Sequence, residues 1–454
     1  MKLTFCGGAQ EVSGANHFFE TEKTRFLVDC GMFQSGEEMD RRNRGGFPYE
    51  AKQIDFVIIS HSHLDHIGRL PLLVREGFTG KIYATPPTID FTRLILEDAQ
   101  RLLEEKAHRA GILPLSSQKD IDEVMNLFVP VNYEQEIQAG EDVKFMLYEA
   151  GHILGSSIVK LIVNDQGEEK IIVCSGDLGN YPVPILRAPT VLDKADYILI
   201  ESAYGDRNHR GTAKEAQNTL EDAVENTVNR GGVLMIPSFA MERTQELLYQ
   251  LNNLVEHKRI PAVPIFIDSP LAIRITQVYK KYENYFNVAT DALIKSGDDI
   301  FKFPNLHFTE TTAQSKAINE IASPKIIIAG SGMSTGGRII HHEVRYLSDS
   351  RNTLLVVSYQ SQGTLGRKLA EGEKRVKILD QEVEVKARVI QIEAYSAHAD
   401  QRGLMAWLSH FRKPIRKIFV VQGEETAAQT LATKIRDELG IESEAPAFQE
   451  KVEL

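Results

Sequence analysis

The chain has 454 residues, with 52 Lys and Arg against 63 Asp and Glu, and its net charge is −11 with histidine neutral. Hydrophobic residues make up 42% and charged residues 25%, which excludes a disordered, collagen-like or coiled-coil protein. The length predicts two or three domains at roughly 150 residues each. No apolar run reaches the ~20 residues of a membrane span, and three scattered cysteines are typical of buried thiols in a reducing compartment. We therefore expect a cytoplasmic protein without a membrane partner.

The first 200 residues predict short β-strands joined as hairpins. The segments 17–29 and 156–176 each contain two apolar runs, and the polar turn NDQGEE separates the runs of the second segment. One long amphipathic helix interrupts the strands from about Thr88 to Ala110, because apolar side chains recur there at helical spacing. This region is expected to be rich in antiparallel sheet.

From about residue 206 to residue 373, an apolar strand, a loop bearing Gly or Ser and a helix follow one another four times. The strands are GGVLMIP, PIFIDSP, KIIIAG and TLLVVSY. Uninterrupted apolar strands that each lead into a helix predict a parallel α/β sheet, whose ligands bind at the carboxyl ends of the strands. The last 80 residues return to β runs and a closing helix near 427–439. We expect domain segments 1–206, 207–373 and 374–454, with the first and last forming one domain.

The strongest chemical signal is the run His61-Ser62-His63-Leu64-Asp65-His66, directly after the apolar strand IDFVIIS. Imidazole and carboxylate groups are ligands for zinc and similar metals. Residues i and i+2 of an extended segment point the same way, so His61 and His63 can hold one ion. Asp65 and His66 can face a second ion. The alternative interpretation is a polar loop of surface histidines.

Four further residues of ligand type each follow a β run: His152, Asp177, Glu201 and His398. Each of them alone is explained as well by a capping or hydrogen-bonded core group. Together, their placement predicts that several strand ends converge on a metal pair. The implied chemistry is attack of metal-activated water on an ester, and two metals suit phosphodiesters because the attacking and leaving oxygens both need charge stabilisation.

Separate motifs along nearly the whole chain resemble the β-CASP branch of the metallo-β-lactamase-fold hydrolases. They are HSHLDH, SGDLG, ESAYGDR, PSFAMERTQELLY, DSPLA, SGMSTGGRIIHHE, SYQSQGTLGR and YSAHAD. That branch contains RNA-processing nucleases. The resemblance implies a metallo-β-lactamase αββα sandwich with an inserted parallel α/β β-CASP domain. It also implies zinc-dependent hydrolysis of single-stranded RNA and, as an expectation, a homodimer.

The resemblance also implies roles for individual residues. One zinc ion would be held by His61, His63, His152 and Asp177, and a second by Asp65, His66 and the bridging Asp177. Glu201 would orient His398, which would donate a proton to the leaving oxygen. Asp65, Glu201 and His398 are thus the catalytic candidates. Asp29 would orient a ligand histidine, although a carboxylate that caps the turn after a strand explains it equally well.

One departure from the family pattern is Gln422, in the run VQGE, where RNA-cleaving members usually have a histidine that ligates the second zinc. An amide oxygen is a poorer zinc ligand than imidazole. The second site is therefore expected to be weaker, water-filled or selective for another metal, or Gln422 contacts substrate.

Three loops at the carboxyl ends of the predicted parallel sheet carry the candidate substrate-binding residues. Backbone N–H groups of Gly-rich loops before helices can bind phosphate, and an arginine in each loop favours a polyanionic ligand. A tight strand-to-helix connection is the alternative interpretation of each loop. The candidates are Arg243, Ser331, Gly332, Arg338, Gly363, Thr364 and Arg367.

Three other functions stay open at this point. A small-molecule hydrolase of the same fold, acting on thioesters or lactams, explains the histidines but leaves the inserted domain unused. A catalytically weak RNA-binding subunit is favoured only by Gln422. A DNA nuclease of the same branch is the nearest neighbour of the RNA hypothesis, and only analogy separates the two.

Overall fold

The protein is described by a computed structural model covering residues 1–34, 36–392, 395–412 and 414–454. It contains two compact units. The first comprises Met1–Tyr181, Leu186–Asn208 and Ala397–Leu454, and the second comprises Pro182–Ile185 and His209–Ser396. Among the described residues, no helix combines the length and apolar character that crossing a bilayer would require.

The strands are β1 (Lys2–Phe5), β2 (His17–Glu20), β3 (Arg25–Val28), β4 (Phe56–Ile58), β5 (Lys81–Ala84), β6 (Phe128–Pro130), β7 (Ile137–Gln138), β8 (Val143–Glu149), β9 (Ser157–Asp165), β10 (Glu168–Cys174), β11 (Tyr197–Glu201), β12 (Val233–Pro237), β13 (Ile265–Asp268), β14 (Leu306–Phe308), β15 (Lys325–Ala329), β16 (Thr353–Val356), β17 (Arg375–Ile378), β18 (Gln381–Glu384), β19 (Arg388–Gln391), β20 (Lys417–Val421), β21 (Ser443–Glu444) and β22 (Lys451–Glu453).

The α-helices are α1 (Glu37–Arg44), α2 (Leu64–Ile67), α3 (Leu70–Arg75), α4 (Pro86–Ala110), α5 (Gln118–Leu127), α6 (Ala213–Asn229), α7 (Arg243–Glu256), α8 (Pro270–Lys281), α9 (Val288–Lys295), α10 (Thr312–Ala317), α11 (Ile339–Tyr346), α12 (Leu365–Ala370), α13 (Gln401–Leu408) and α14 (Glu425–Lys434). A π-helical turn, Ile435–Leu439, continues α14.

Two mixed sheets form the centre of the first unit. Their strand orders are β22-β1-β2-β3-β4-β5-β6 and β21-β20-β11-β10-β9-β8-β7. Strand β8 shows why they pack together, because its residues alternate between buried and half-buried along the strand. Its buried side chains, among them Phe145, share one apolar cluster with Phe19 and Phe56 of the opposite sheet. The two sheets therefore bury one face each in a common core.

Helices cover the outer faces of both sheets. Helices α3, α4 and α5 pack on the first sheet in a cluster that includes Leu73, Leu96 and Val124. Helices α13 and α14 pack on the second sheet in a cluster that includes Trp407 and Leu431. The first unit is thus the αββα sandwich that the resemblance implied.

The second unit is built on a six-stranded sheet of order β14-β13-β15-β12-β16-β19, in which every pairing is parallel. Strand β15 is buried along its whole length, as the uninterrupted apolar run KIIIA predicts for a central strand. The four predicted strand–loop–helix units are confirmed as β12–α7, β13–α8, β15–α11 and β16–α12. The α/β character of the inserted region therefore follows from its sequence pattern.

Some predicted bounds differ from the structure. Helix α4 begins at Pro86 and not near Thr88, because the Thr85 side chain caps it and two prolines fill its first positions. The chain returns to the first unit at Ala397, later than the residue 374 expected from the sequence. The reason is that β19 pairs with β16 in the parallel sheet of the second unit. The predicted run KARVIQIEAY extends over residues 393 and 394, which lie outside the described residues.

Candidate metal centre

The strand ends of the first unit bring four ligand-type side chains together. His61 and His63 follow β4, His152 follows β8 and Asp177 follows β10. Their ligand atoms all lie within 4.8 Å of one another. His63 Nδ1 is 3.1 Å from both His61 Nε2 and His152 Nε2. Asp177 Oδ2 is 3.4 Å from His61 Nε2 and 3.6 Å from His152 Nε2.

These distances match the donor set of a tetrahedral metal site. Zinc bonds of about 2.0–2.1 Å place neighbouring ligand atoms about 3.3 Å apart in a tetrahedron. Three imidazole nitrogens and one carboxylate oxygen are also ligands that zinc prefers. The residues present therefore fit a zinc ion by spacing and by chemistry.

Neighbouring groups contact the Nδ1 atoms of two candidate ligand histidines, His152 and His61. His152 Nδ1 lies 3.2 Å from the Ala397 carbonyl, which can only accept, so Nδ1 carries the proton and Nε2 faces the centre. His61 Nδ1 contacts the Ser60 hydroxyl at 3.1 Å. Burial lowers the pKa of His61, His63 and His152 below the ordinary histidine value. All three imidazoles are therefore neutral near pH 7, as metal coordination requires.

The second carboxylate oxygen of Asp177 faces a different histidine. His66 Nε2 lies 3.4 Å from Asp177 Oδ1. His66 Nδ1 is 2.8 Å from Asp29 Oδ2, and Asp29 also accepts hydrogen bonds from the Ser60 N–H and hydroxyl, each at 2.7 Å. Burial lowers the pKa of His66, but Asp177 and Asp29 outweigh it and hold that pKa above its ordinary value. Asp29 thus holds His66 in place from behind.

Asp65 has a less central position than the resemblance implied. It lies half-buried on the short helix α2. Two groups of potential ligand atoms converge within 4.8 Å in the described parts of the chain, and Asp65 belongs to neither. The groups are His61, His63, His152 and Asp177, and Asp177, Glu201 and His398. Its charge still raises the pKa of His63 against the effect of burial.

Glu201 and His398 form a hydrogen-bonded pair beside the same carboxylate. His398 Nδ1 is 3.1 Å from Glu201 Oε2 and 3.9 Å from Asp177 Oδ2. The Leu178 backbone N–H donates to Glu201 Oε1 at 2.6 Å and fixes its orientation. Burial opposes a charged imidazole, but Glu201 outweighs it and raises the pKa of His398 to about 9. This pair is suited to hold a proton at neutral pH.

Gln422 is buried against the centre at the end of β20. Its amide nitrogen is 2.7 Å from Asp177 Oδ1 and 3.0 Å from His66 Nε2. Its backbone has a positive φ of 52°, and its N–H donates to the Gly8 carbonyl at 2.6 Å. The side chain is therefore directed at the position that a second metal ion would share with Asp177 and His66.

The predicted substrate-binding arginines lie in the second unit and already have partners there. Arg243 is buried, forms ion pairs with Glu246 and Glu242, and lies over the Tyr395 ring. Arg338 donates to Asp268 Oδ1 at 2.8 Å and to two backbone carbonyls. Arg367 has 39% of its side chain exposed and pairs with Glu371, which follows α12. Of the three, Arg367 is the most open to solvent.

The small residues of the predicted phosphate loops shape those loops from within. The Ser331 hydroxyl accepts the Thr335 N–H, and Thr364 caps α12. A side chain at Gly332 would come within 3.0 Å of the Phe239 ring, so the close approach requires glycine there. Gly363 has a positive φ of 80° and ample space around it. These contacts account for the loop geometry without a ligand.

The sequence analysis missed two residues that organise these regions. Ser60 contacts Asp29, His61 and His66, and only its position just before His61 hinted at this role. Asp268 is fully buried and accepts hydrogen bonds from Arg338, His342, Thr309 and Ser315. The motif DSPLA contained it, but no spacing rule connects residue 268 with residues 338 and 342.

Comparison with known proteins places this fold and donor set in a family. Family models match a metallo-β-lactamase superfamily domain at residues 18–176, a Beta-Casp domain at residues 244–369 and a Zn-dependent metallo-hydrolase RNA specificity domain at residues 382–446. The chain belongs to the β-CASP family of metallo-β-lactamase-fold proteins.

Relatives match over most of the chain. Ribonuclease TTHA0252 of Thermus thermophilus is 38% identical over 94% of this chain and 94% of its own length. The RNase J-like protein of Methanocaldococcus jannaschii is 32% identical over 98% of this chain and 97% of its own length. Transcription termination factor FttA of Methanosarcina mazei is 30% identical, over 100% of this chain and 72% of its own length.

Proposed function

We propose that this chain is a zinc-dependent ribonuclease that hydrolyses phosphodiester bonds of single-stranded RNA. The observation that carries the proposal is the convergence of His61, His63, His152 and Asp177 next to the Glu201–His398 pair. A metal donor set and a proton donor then share one carboxylate, Asp177. Relatives named as a ribonuclease and as RNase J-like support RNA as the substrate.

Zinc is the metal that the donor set fits best, and His61, His63, His152 and Asp177 would hold it. When bound, zinc lowers the pKa of a water ligand towards ~7 and stabilises charge on phosphate oxygens. Asp65, His66 and the second oxygen of Asp177 remain the candidates for a second, weaker ion.

The chain's own proton donor is His398. Its Nδ1 is held by Glu201, which leaves Nε2 as the atom that donates to the leaving oxygen of the scissile bond. Glu201 is fully buried and is oriented by the Leu178 N–H, so it acts as a positioning residue for the imidazole. Because its pKa is about 9, His398 carries the required proton at pH 7.

Substrate contact through the loops of the second unit is part of the proposal. Arg367 is the first candidate for a phosphate contact because its guanidinium is exposed. Ser331, Gly332, Gly363 and Thr364 shape the loops beside it, whereas Arg243 and Arg338 contribute through ion pairs within the unit. The homodimer stays a prediction, which analytical ultracentrifugation would test.

The test is a gel assay on single-stranded RNA labelled at either end, with added zinc. Wild type is expected to cleave, and His63→Ala to lose cleavage together with zinc. His410→Ala is the matched control, because His410 is an exposed histidine of the same unit whose ring contacts the Ala406 carbonyl of the preceding helix. Absence of cleavage by the zinc-loaded wild type, or cleavage retained in zinc-free His63→Ala, would contradict the proposal.

A further inference from the structure

The side-chain amide of Gln422 is within hydrogen-bonding distance of Asp177 Oδ1 and His66 Nε2, which are the two atoms that a second metal ion would need as ligands. One nitrogen, Gln422 Nε2, lies 2.7 Å from Asp177 Oδ1 and 3.0 Å from His66 Nε2. We propose that this amide group takes the place of the second cation, so that the centre of this chain binds a single zinc ion. The inference rests on the proposed function and concerns its metal content.

The hydrogen-bonding capacity of the three groups supports this assignment. His66 Nδ1 faces the Asp29 carboxylate at 2.8 Å, so Nδ1 carries a proton, and in the neutral imidazole, which is the form that a metal ion binds, Nε2 presents a lone pair. Asp177 Oδ1 is a carboxylate oxygen and can only accept. A carboxamide nitrogen has two N–H groups, one for each acceptor. The reverse orientation of the amide would place its oxygen against two acceptors.

The backbone holds Gln422 in this position. It lies directly after β20, with its N–H bonded to the Gly8 carbonyl at 2.6 Å and its carbonyl facing the Ser202 N–H at 3.4 Å. Gly8 also packs closely on the side chain, because a Cβ at Gly8 would lie 3.1 Å from Gln422 Cγ. With 4% of the residue exposed, the amide has little freedom to turn away.

A second ion would have to displace these hydrogen bonds, and few protein ligand atoms would coordinate it in return. It would share Asp177 with the first ion, and its other donors would be His66 and the half-buried Asp65. A neutral amide oxygen adds little affinity for zinc compared with an imidazole. The first position, with three imidazoles and a carboxylate, needs nothing from Gln422.

The experiment measures metal content. Purified chain is stripped with chelator, reloaded with zinc chloride, separated from free zinc and analysed by mass spectrometry of the metal. Cobalt(II) titration followed by visible absorption gives an independent stoichiometry. Wild type is expected to take up one ion per chain by both measurements.

The diagnostic variant is Gln422→His, which exchanges the amide for an imidazole ligand. Histidine tolerates a positive φ better than most residues, so the fold should be kept. We expect the zinc content to rise from one to about two ions per chain, because imidazole is a good zinc ligand. Gln138→His is the matched control, since Gln138 is exposed and its amide donates to the backbone carbonyls of Gly140 and Val143. It should stay at one ion.

Gln422→Leu separates the two possible roles of the amide. If the wild type binds two ions and the leucine variant binds one, Gln422 is a metal ligand and the inference is wrong. If both proteins bind two ions, the amide does not block the second site and the inference is also wrong.

A wild type that holds one zinc but cleaves no RNA contradicts the proposed function alone. A wild type that cleaves RNA with two ions bound contradicts this inference alone.

Discussion

The candidate metal centre of the first unit and the polar network of the second unit contain the same kinds of residue. Each has a buried carboxylate at or just after a strand end with histidine beside it, and Asp177 and Asp268 are each surrounded by several polar groups. They differ in what faces the carboxylate. Around Asp177, three neutral imidazole nitrogens converge on one point. Around Asp268, an arginine, a histidine and two hydroxyls satisfy every oxygen.

The difference shows how a metal site can be told from a structural network of similar composition. Lone pairs that face one another are unfavourable unless a cation lies between them, whereas donors that face acceptors are stable by themselves. The first arrangement therefore needs a ligand and the second does not. Substitutions in and around the two regions can test that distinction.

The largest effect is expected from His398→Ala. Loss of a positioned proton donor should slow RNA cleavage by roughly 10²–10⁴-fold, while zinc content stays at the wild-type level. Because Glu201 acts through His398, Glu201→Gln should add little in the double variant. Cleavage rates and metal analysis of the four proteins check this. Loss of zinc in His398→Ala would instead make His398 part of the metal site.

Asp268→Ala should destabilise the protein without changing its zinc content. Burial would raise the pKa of Asp268, but its four donors lower that pKa to about 2, so it is ionised and paired. Removing it leaves Arg338 and His342 without their partner, which costs roughly 3–5 kcal/mol. Urea unfolding measures this. Asp380→Ala, at an exposed position of the same unit, is the control. Equal loss in both would refute the network.

Glu343→Gln should change stability in a pH-dependent way. Burial raises the pKa of Glu343 to about 8, although the Ser334 hydroxyl opposes the shift. Between pH ~4.5 and about 8 the unfolded chain is ionised at this position and the folded chain is protonated. The wild type therefore loses up to about 1.4 kcal/mol of stability for each pH unit in that window.

The glutamine variant escapes this loss because its side chain does not titrate. The melting temperature of the variant minus that of the wild type should therefore be larger at pH 8 than at pH 5. Glu373→Gln, at an exposed position, should show no such trend. Parallel pH profiles for Glu343→Gln and wild type would rule out the buried protonated carboxyl.

The smallest effect is expected from Arg367→Gln. Removing one exposed cation should weaken binding of single-stranded RNA a few-fold and reduce the salt slope of log K by roughly 0.7. Fluorescence anisotropy on a zinc-free His63→Ala background measures binding without cleavage. Arg351→Gln is the control. Arg351 lies just before the amino end of β16, is exposed and, like Arg367, forms an ion pair with an acidic side chain. If both variants behave alike, Arg367 makes no specific contact.

Much of the fold was predictable from local pattern. The turn NDQGEE predicted the β9–β10 hairpin, which pairs in register from Asp165 with Glu168. The apolar runs predicted the parallel strands of the second unit. The sequence analysis expected the run of the edge strand β19 in the same domain as residues 1–206, whereas it pairs with β16 in the second unit, because a short β run does not encode which partner it pairs with.

Local sequence is sufficient to identify the chemically active side chains of this protein. The spacing of His61 and His63 in an extended segment is enough to direct both at one ion, since side chains two residues apart share a face. The partners of polar groups that are distant in sequence depend on how the chain folds. Arg338 and Gln422 both looked like ligands of something outside the chain. Folding places Arg338 on Asp268, 70 residues away, and the Gln422 amide on Asp177, 245 residues away. Hydrogen bonds are satisfied by whichever group the fold brings within about 3 Å, and that proximity is set by sheet topology.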